Sequence, residues 1–257
     1  MINQFRADFY RQIHTITIYI LAALVIALAA LTVKYESVGG IMMTGAIQNG
    51  LDQVLSDHWT QILAVRGLTV SSSLLLYIFF AIFVTTFGTE FVQKTYKSSL
   101  TSGISRTNFL FSKYLLMLLS IFILDIIYFL TGILTSHFLG HGMGTNFSNL
   151  VSTTLGTSLV NSFFISVLFG VTALLLLITN SIVISSVFII VFPVIVTMIH
   201  TLFKWDWLKY LDFFSITTQF TIKQVTLSDM IPYLEVGVVL LIASYILSNF
   251  LLRNKEL

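Results

Sequence analysis

The chain has 257 residues, 56% of them hydrophobic and only 9% charged, with a formal net charge of +2. Soluble domains carry about a quarter charged residues, so this composition and a mean hydropathy of +0.95 exclude an ordinary water-soluble domain. The absence of cysteine excludes disulfides and thiolate metal sites. The small net charge gives no footing for a nucleic-acid partner.

In chain order, the opening "MINQFRADFYRQI" sets Ile2, Phe5, Phe9 and Ile13 on one helical face, with Arg6, Asp8 and Arg11 off it. That pattern predicts an amphipathic helix over residues 1–14, lying on the inner membrane surface. The apolar run Ile16–Val33 predicts the first span. Arg6, Arg11 and the later Ala27-Leu28-Ala29 imitate a secretory signal with its cleavage site. The run continues through Val33, so an uncleaved span is expected. Ala23 and Ala27 form a small-xxx-small pair, suited to close packing within the bundle or against a second chain. Ile47–Val65 repeats the amphipathic pattern and predicts an interfacial helix on the outer side. The second span fills the charge-free interval 67–89.

The stretch "GTEFVQKTYKSSLTSGISRTNFLFSKYL" follows, with Lys94, Lys97, Arg106 and Lys113 among the chain's thirteen basic residues. Glu90 to Thr101 predicts a short helix that Gly103 breaks, with Ser105 or Thr107 as a cap for the next helix. A basic helix at the inner surface anchors topology on anionic headgroups, or it docks a cytoplasmic partner. Both readings stay open on charge alone.

From Tyr114 to Phe203, histidines aside, Asp125 is the only charged residue. The third span is expected at 114–136 and a glycine- and serine-rich loop at Gly140–Gly156. Ser162–Ile199 as one helix would reach about 57 Å, about twice the membrane core. Thr179-Asn180-Ser181 is therefore the predicted turn of a hairpin with spans at 157–178 and 182–203. Pro193 is expected to kink the second arm. Trp205, Trp207, Tyr210, Phe213 and Phe214 make 204–230 an extracellular aromatic segment, suited to a headgroup belt or a re-entrant turn. The sixth span is expected at 231–252.

These readings give an all-α integral membrane protein forming a single transmembrane domain over 1–257, with six transmembrane helices. Cytoplasmic termini put Arg6, Arg11, Lys94, Lys97, Arg106, Lys113, Arg253 and Lys255 inside, and Lys34, Arg66, Lys204, Lys209 and Lys223 outside. That bias agrees with the positive-inside rule. Without a turn at Asn180 the count falls to five, and the C-terminus moves outside.

Among the polar residues, Asp125 near mid-span is either a pathway or proton site, or a hydrogen-bonded lock between helices. Asn161 and Ser162 suit interhelical hydrogen bonds. His137 and His141 are four apart, as metal ligands can be, but the sequence shows no third ligand nearby and no metal site is assigned. No nucleophilic triad or carboxylate pair is evident, so no catalytic residue is named.

The order Glu90, the Thr95–Leu100 turn, Gly103, Ser105-Arg106 and Lys113 resembles the connection between the second and third spans of ATP-binding-cassette type-2 exporter permeases. The layout of inner helix, six spans and outer aromatic segment resembles that family as well. Lys94-Thr95 stands where the family often has Gly-Thr, and Gly103 where it often has Pro. The resemblance implies that Glu90, Lys94, Thr95, Lys97, Gly103, Ser105 and Arg106 couple the chain to a separate P-loop ATPase subunit. ATP and Mg would sit on that partner, with no cofactor in this chain. It also implies pairing with a second permease copy or a related one, with Ala23 and Ala27 as dimer candidates. The expected setting is the lipid of a bacterial plasma membrane. The chain is also similar to permeases for peptide-toxin export and bacteriocin or lantibiotic immunity, which implies amphipathic or hydrophobic cargo. A proton-coupled secondary transporter using Asp125 and a non-transporting scaffold or sensor are the rival readings.

Overall fold

The computed structural model describes residues 2–39, 59–101, 103–203, 205, 207–222 and 227–254. Helices make up its regular structure: α1 (Ile2–Ile13), α2 (Ile16–Lys34), α3 (Gln61–Val92), α4 (Tyr96–Thr101), α5 (Arg106–Phe138), α6 (Phe147–Thr179), α7 (Ile182–Phe203), α8 (Phe213–Thr221) and α9 (Leu227–Asn254). Six of them, α2, α3, α5, α6, α7 and α9, are long and apolar enough to cross a membrane. The chain is thus built as a multi-pass membrane protein. The outer amphipathic helix expected from Ile47 falls on residues 47–58, outside the described ones, and from Gln61 the chain already belongs to α3.

The central pair is α5 and α6, each 33 residues long. At about 1.5 Å per residue each exceeds a core of about 30 Å, so each tilts or projects beyond it. Around them α2 and α3 close one side, and α7, α8 and α9 the other. Phe83, Phe87, Tyr128, Phe129 and Phe169 are fully buried between these helices. Gly170 lets α6 approach α5 and α9, because a Cβ there would meet Ser244 Oγ at 3.1 Å and Tyr114 Cε1 at 3.2 Å. Tyr114 uses that proximity to donate to the Gly170 carbonyl at 3.1 Å. Val183, Val187, Val194 and Met198 on α7, and Val239, Ile242 and Ile246 on α9, remain exposed. Apolar surface of this extent is what lipid solvates.

Several boundaries differ from the expected ones for local reasons. The loop read at Gly140–Gly156 is shorter, because α6 starts at Phe147 behind Asn146. Gly140 and Gly144, at φ 83° and 68°, make the turn. The hydroxyls that look loop-like instead bond back to helical carbonyls, as Thr154 does to Leu150 at 2.7 Å. α5 begins at Arg106, a full two turns before Tyr114, with Ser105 Oγ accepting from the Asn108 amide at 3.3 Å. The expected Glu90–Thr101 helix is split: α3 ends at Val92, and Lys94 takes a left-handed φ of 58° before α4 begins. On α1, Asp8 is buried, although the sequence pattern set it on the polar side.

The hairpin between α6 and α7 turns at Asn180, which caps α6 at φ 51° and ψ 25°. Asparagine visits this left-handed region more readily than other non-glycine residues. Asn180→Ala is expected to cost about 1 kcal/mol, with Asn180→Gly at wild-type level, read by thermal unfolding in detergent. α7 continues across Pro193, whose missing amide leaves one backbone bond unmade. The aromatic segment divides: Trp205 and Trp207 are exposed, whereas Phe213 and Phe214 are buried in α8. Phe213 stacks on Phe164 at 4.6 Å. Asp212 caps α8 through the Ser215 amide at 3.3 Å. Burial pushes its carboxyl above the ordinary range, and the Ser215 bonds pull partly the other way.

Candidate functional site

The polar residues concentrate at the end of the bundle where α1, the α3–α4 junction and the start of α5 meet. The early start of α5 places Lys113 two turns inside that helix, where it is fully buried. A lone ammonium there would be costly to bury. Its Nζ instead donates to Asp8 Oδ1 and to Glu90 Oε1, each at 2.9 Å. Arg11 on α1 bonds Asp8 Oδ1 at 3.3 Å and also reaches Glu90 Oε1. Gln4 Nε2 and Ser112 Oγ donate to Asp8 Oδ2 at 3.0 and 3.4 Å. Two carboxylates and two cations thus neutralise one another and tie α1, α3 and α5 together. Such clusters gain most when the hydrogen bonds are as complete as the charges; here Glu90 Oε2 has no partner among the described residues.

From this knot the chain leaves as Gln93-Lys94-Thr95, exposed, and enters α4. Tyr96 and Leu100 fasten α4 to the bundle, and Tyr96 stacks on Phe91 at 4.9 Å. Thr95 Oγ1 donates to the Glu90 carbonyl at 3.4 Å, linking the first residue before α4 to the ion cluster's backbone. Lys94, Thr95, Ser98 and Thr101 face outward, with Lys97 half-buried. Gly103, at φ 92°, turns the chain toward the exposed Ser105 cap. Arg106 does not face outward freely: Nη1 donates to the Leu252 carbonyl at 2.9 Å and also to that of Arg253. It therefore closes the C-terminal end of α9, where a cation also offsets the helix dipole.

The seven residues expected to engage a partner thus separate. Lys94, Thr95, Lys97, Gly103 and Ser105 lie at or near the surface around α4. Glu90 and Arg106 are spent on contacts within the chain. The burial of Asp8 and the ion pairs of Arg11 were not read from the sequence, because the helical pattern assigned both to a solvated face. The legible signal was Lys113: once Ser105 caps α5, a lysine eight residues later needs a carboxylate from elsewhere.

Asp125 lies at a separate place, mid-bundle and fully buried. Asn161 Nδ2 on α6 donates to its Oδ1 at 2.8 Å, and Ser72 Oγ on α3 donates to Asn161 Oδ1 at 3.3 Å. One helical turn along α5, Tyr128 donates to the Leu68 carbonyl at 3.1 Å. The geometry is that of a polar lock joining α3, α5 and α6. Ala23 and Ala27 lie on the exposed face of α2, while Leu21, Val25 and Ala29 face the core. At the opposite end of the bundle, His141 Nε2 lies 3.7 Å from Glu36 Oε1, and Gln61 Nε2 lies 3.5 Å from His137 Nδ1. Comparison of the chain with family models, curated proteins and solved structures found no match.

Proposed function

We propose that this chain is the membrane permease subunit of an ATP-driven exporter of the ATP-binding-cassette type-2 kind. It works with a separate P-loop ATPase and a second permease copy or relative, and expels amphipathic peptides or other hydrophobic cargo. The observation that carries the reading is the mounting of α4. Lys94 and Thr95 just before it and Ser98 on it face outward, while its root is the Glu90–Lys113–Asp8–Arg11 cluster. A push on α4 is delivered to a rigid charged joint shared by three helices, rather than absorbed by a loose loop.

In this mechanism, closure of the ATPase pair on ATP moves α4 of each permease, and the joint passes that motion into α1, α3 and α5. The bundles rock and drive cargo toward the opposite side. Ala23 and Ala27 give α2 a low-relief surface on which a second permease can pack closely. Coupling residues on this reading are the exposed Lys94, Thr95 and Ser98 and the half-buried Lys97, with Glu90 and Arg106 as positioning residues behind them.

The protein purified in mild detergent from its own membranes is expected to carry a stoichiometric P-loop ATPase. Lys94→Glu/Lys97→Glu should weaken retention about tenfold or more through charge reversal at the contact. Its melting temperature should stay at the wild-type value, because neither side chain supports the core. Retention of the ATPase unchanged in the double variant would remove α4 as the docking element.

A further inference from the structure

We propose that the cleft enclosed by α1, α2, α3 and α5 beside the ion cluster binds a zwitterion bearing a primary ammonium and a phosphate. That is the chemistry of an ethanolamine phosphodiester headgroup, whether on a membrane lipid or as free glycerophosphoethanolamine. The inference goes beyond export and does not depend on it.

The cleft has a volume of about 440 Å³, and its lining includes Arg11, Gln12, Thr86 and Glu90. Three of these carry enclosed polar atoms without a partner among the described residues: Glu90 Oε2, Thr86 Oγ1 and Gln12 Nε2. Only seven buried side-chain atoms in the described residues share that condition, and three of them belong to residues lining this cleft. Each unmade bond costs stability, and a ligand that completes them recovers it.

Their chemistry defines that ligand. Both cations that reach Glu90 lie on Oε1, so Oε2 is an anionic acceptor awaiting a donor. Gln12 Oε1 lies 3.0 Å from Ser120 Oγ, whose one proton also faces the Leu116 carbonyl at 2.7 Å; with the amide in this orientation Nε2 is a donor awaiting an acceptor. Thr86 lies in a π-helical turn, Val84–Gly88, inside α3. Its neighbours bond back in the ordinary way, Thr85 to Ala81 at 2.9 Å and Thr89 to Thr85 at 3.4 Å. Thr86 alone of the three has its hydroxyl unspent, at the kind of helical irregularity that recurs at functional sites.

Charge narrows the class further. Asp8 and Glu90 balance Arg11 and Lys113, so a ligand with net charge would unbalance the joint and a zwitterion would not. An ammonium has three donors, enough for Glu90 Oε2 and Thr86 Oγ1 together. The phosphate then meets Gln12 Nε2 and the guanidinium of Arg11, whose side chain is 59% exposed. A choline headgroup has no N–H and cannot satisfy Glu90. Ile18, Leu21, Ile82 and Leu116 supply the apolar side of the cleft. The exposed Ile16, Tyr19, Ile20 and Leu24 continue along α2 as a track for acyl chains.

The test is thermal unfolding of the full chain in nanodiscs containing phosphatidylethanolamine, phosphatidylcholine or phosphatidylglycerol with matched chains. Parallel samples in detergent receive free glycerophosphoethanolamine, a phosphodiester that keeps the net-neutral charge of the lipid headgroup. Phosphatidylethanolamine should raise the melting temperature by about 3 °C over both other lipids. A shift with the free headgroup too would show that the headgroup suffices; a shift with lipid alone would assign the site to lipid. Thr86→Val should abolish the preference and leave the melting temperature without ethanolamine unchanged, because the hydroxyl it removes has no partner to lose. Glu90→Gln should abolish it as well. Equal stabilisation by the ethanolamine and choline lipids, or a preference that survives Thr86→Val, would overturn the proposal.

Discussion

Lys113→Met is expected to destabilise the protein by about 3–5 kcal/mol, the cost of removing one partner from a buried ion pair. The side chain is fully buried and lies 2.9 Å from carboxylates on two other helices. Its loss leaves Asp8 and Glu90 facing each other with only Arg11 to separate them. The consequence is specific to the joint: α1 should detach from α5, and protease sites near residues 10–15 should open before global unfolding. Adding Glu90→Gln to Lys113→Met removes the uncompensated charge. The double variant should therefore lose less than the sum of the two single losses. Chemical unfolding in detergent measures both terms. Strictly additive losses would mean that the four charges do not act as one unit.

The second large effect belongs to the mid-bundle lock. Asn161→Leu strips Asp125 of its donor and leaves Ser72 without its acceptor, both in buried surroundings. A cost of about 1–3 kcal/mol is expected from the unmet polar groups. Asp125→Asn keeps an acceptor oxygen at the same position and should cost less than about 1 kcal/mol. The ordering of these two variants separates a structural lock from a proton site. A lock tolerates Asp125→Asn with transport intact, whereas proton coupling through Asp125 is lost in that variant whatever its stability.

The spans were legible because apolar length is a blunt signal that tertiary context cannot hide. The Asn180 turn was legible for a related reason: a helix about twice the membrane thickness must break, and one asparagine between apolar arms is where it can. The failures share a cause as well. Residues 147–156 read as loop because serine and threonine are polar in composition, yet in a helix their hydroxyls return to the preceding turn, as in Thr154 to Leu150. Asp8 read as solvated because a face is inferred from apolar neighbours, and nothing in α1 announces a lysine 105 residues away. Glu90 and Arg106 stood out correctly as unusual residues, but residue type does not say whether a charge faces a partner or its own chain. Here Glu90 turns toward Lys113 and Arg106 toward the end of α9. Asp125 was visible as a lone charge, whereas its bond to Asn161 required the packing of α5 against α6.

The most direct test of the coupling account uses the absence of native cysteine. Ser98→Cys places a single thiol on the exposed side of α4. Labelled with a photoactivatable cross-linker in native membranes, it should join the chain to a P-loop ATPase, with a yield that changes when ATP is added. Cross-links to lipid or to the chain itself alone, with the ATPase present and active in the same membranes, would contradict the account.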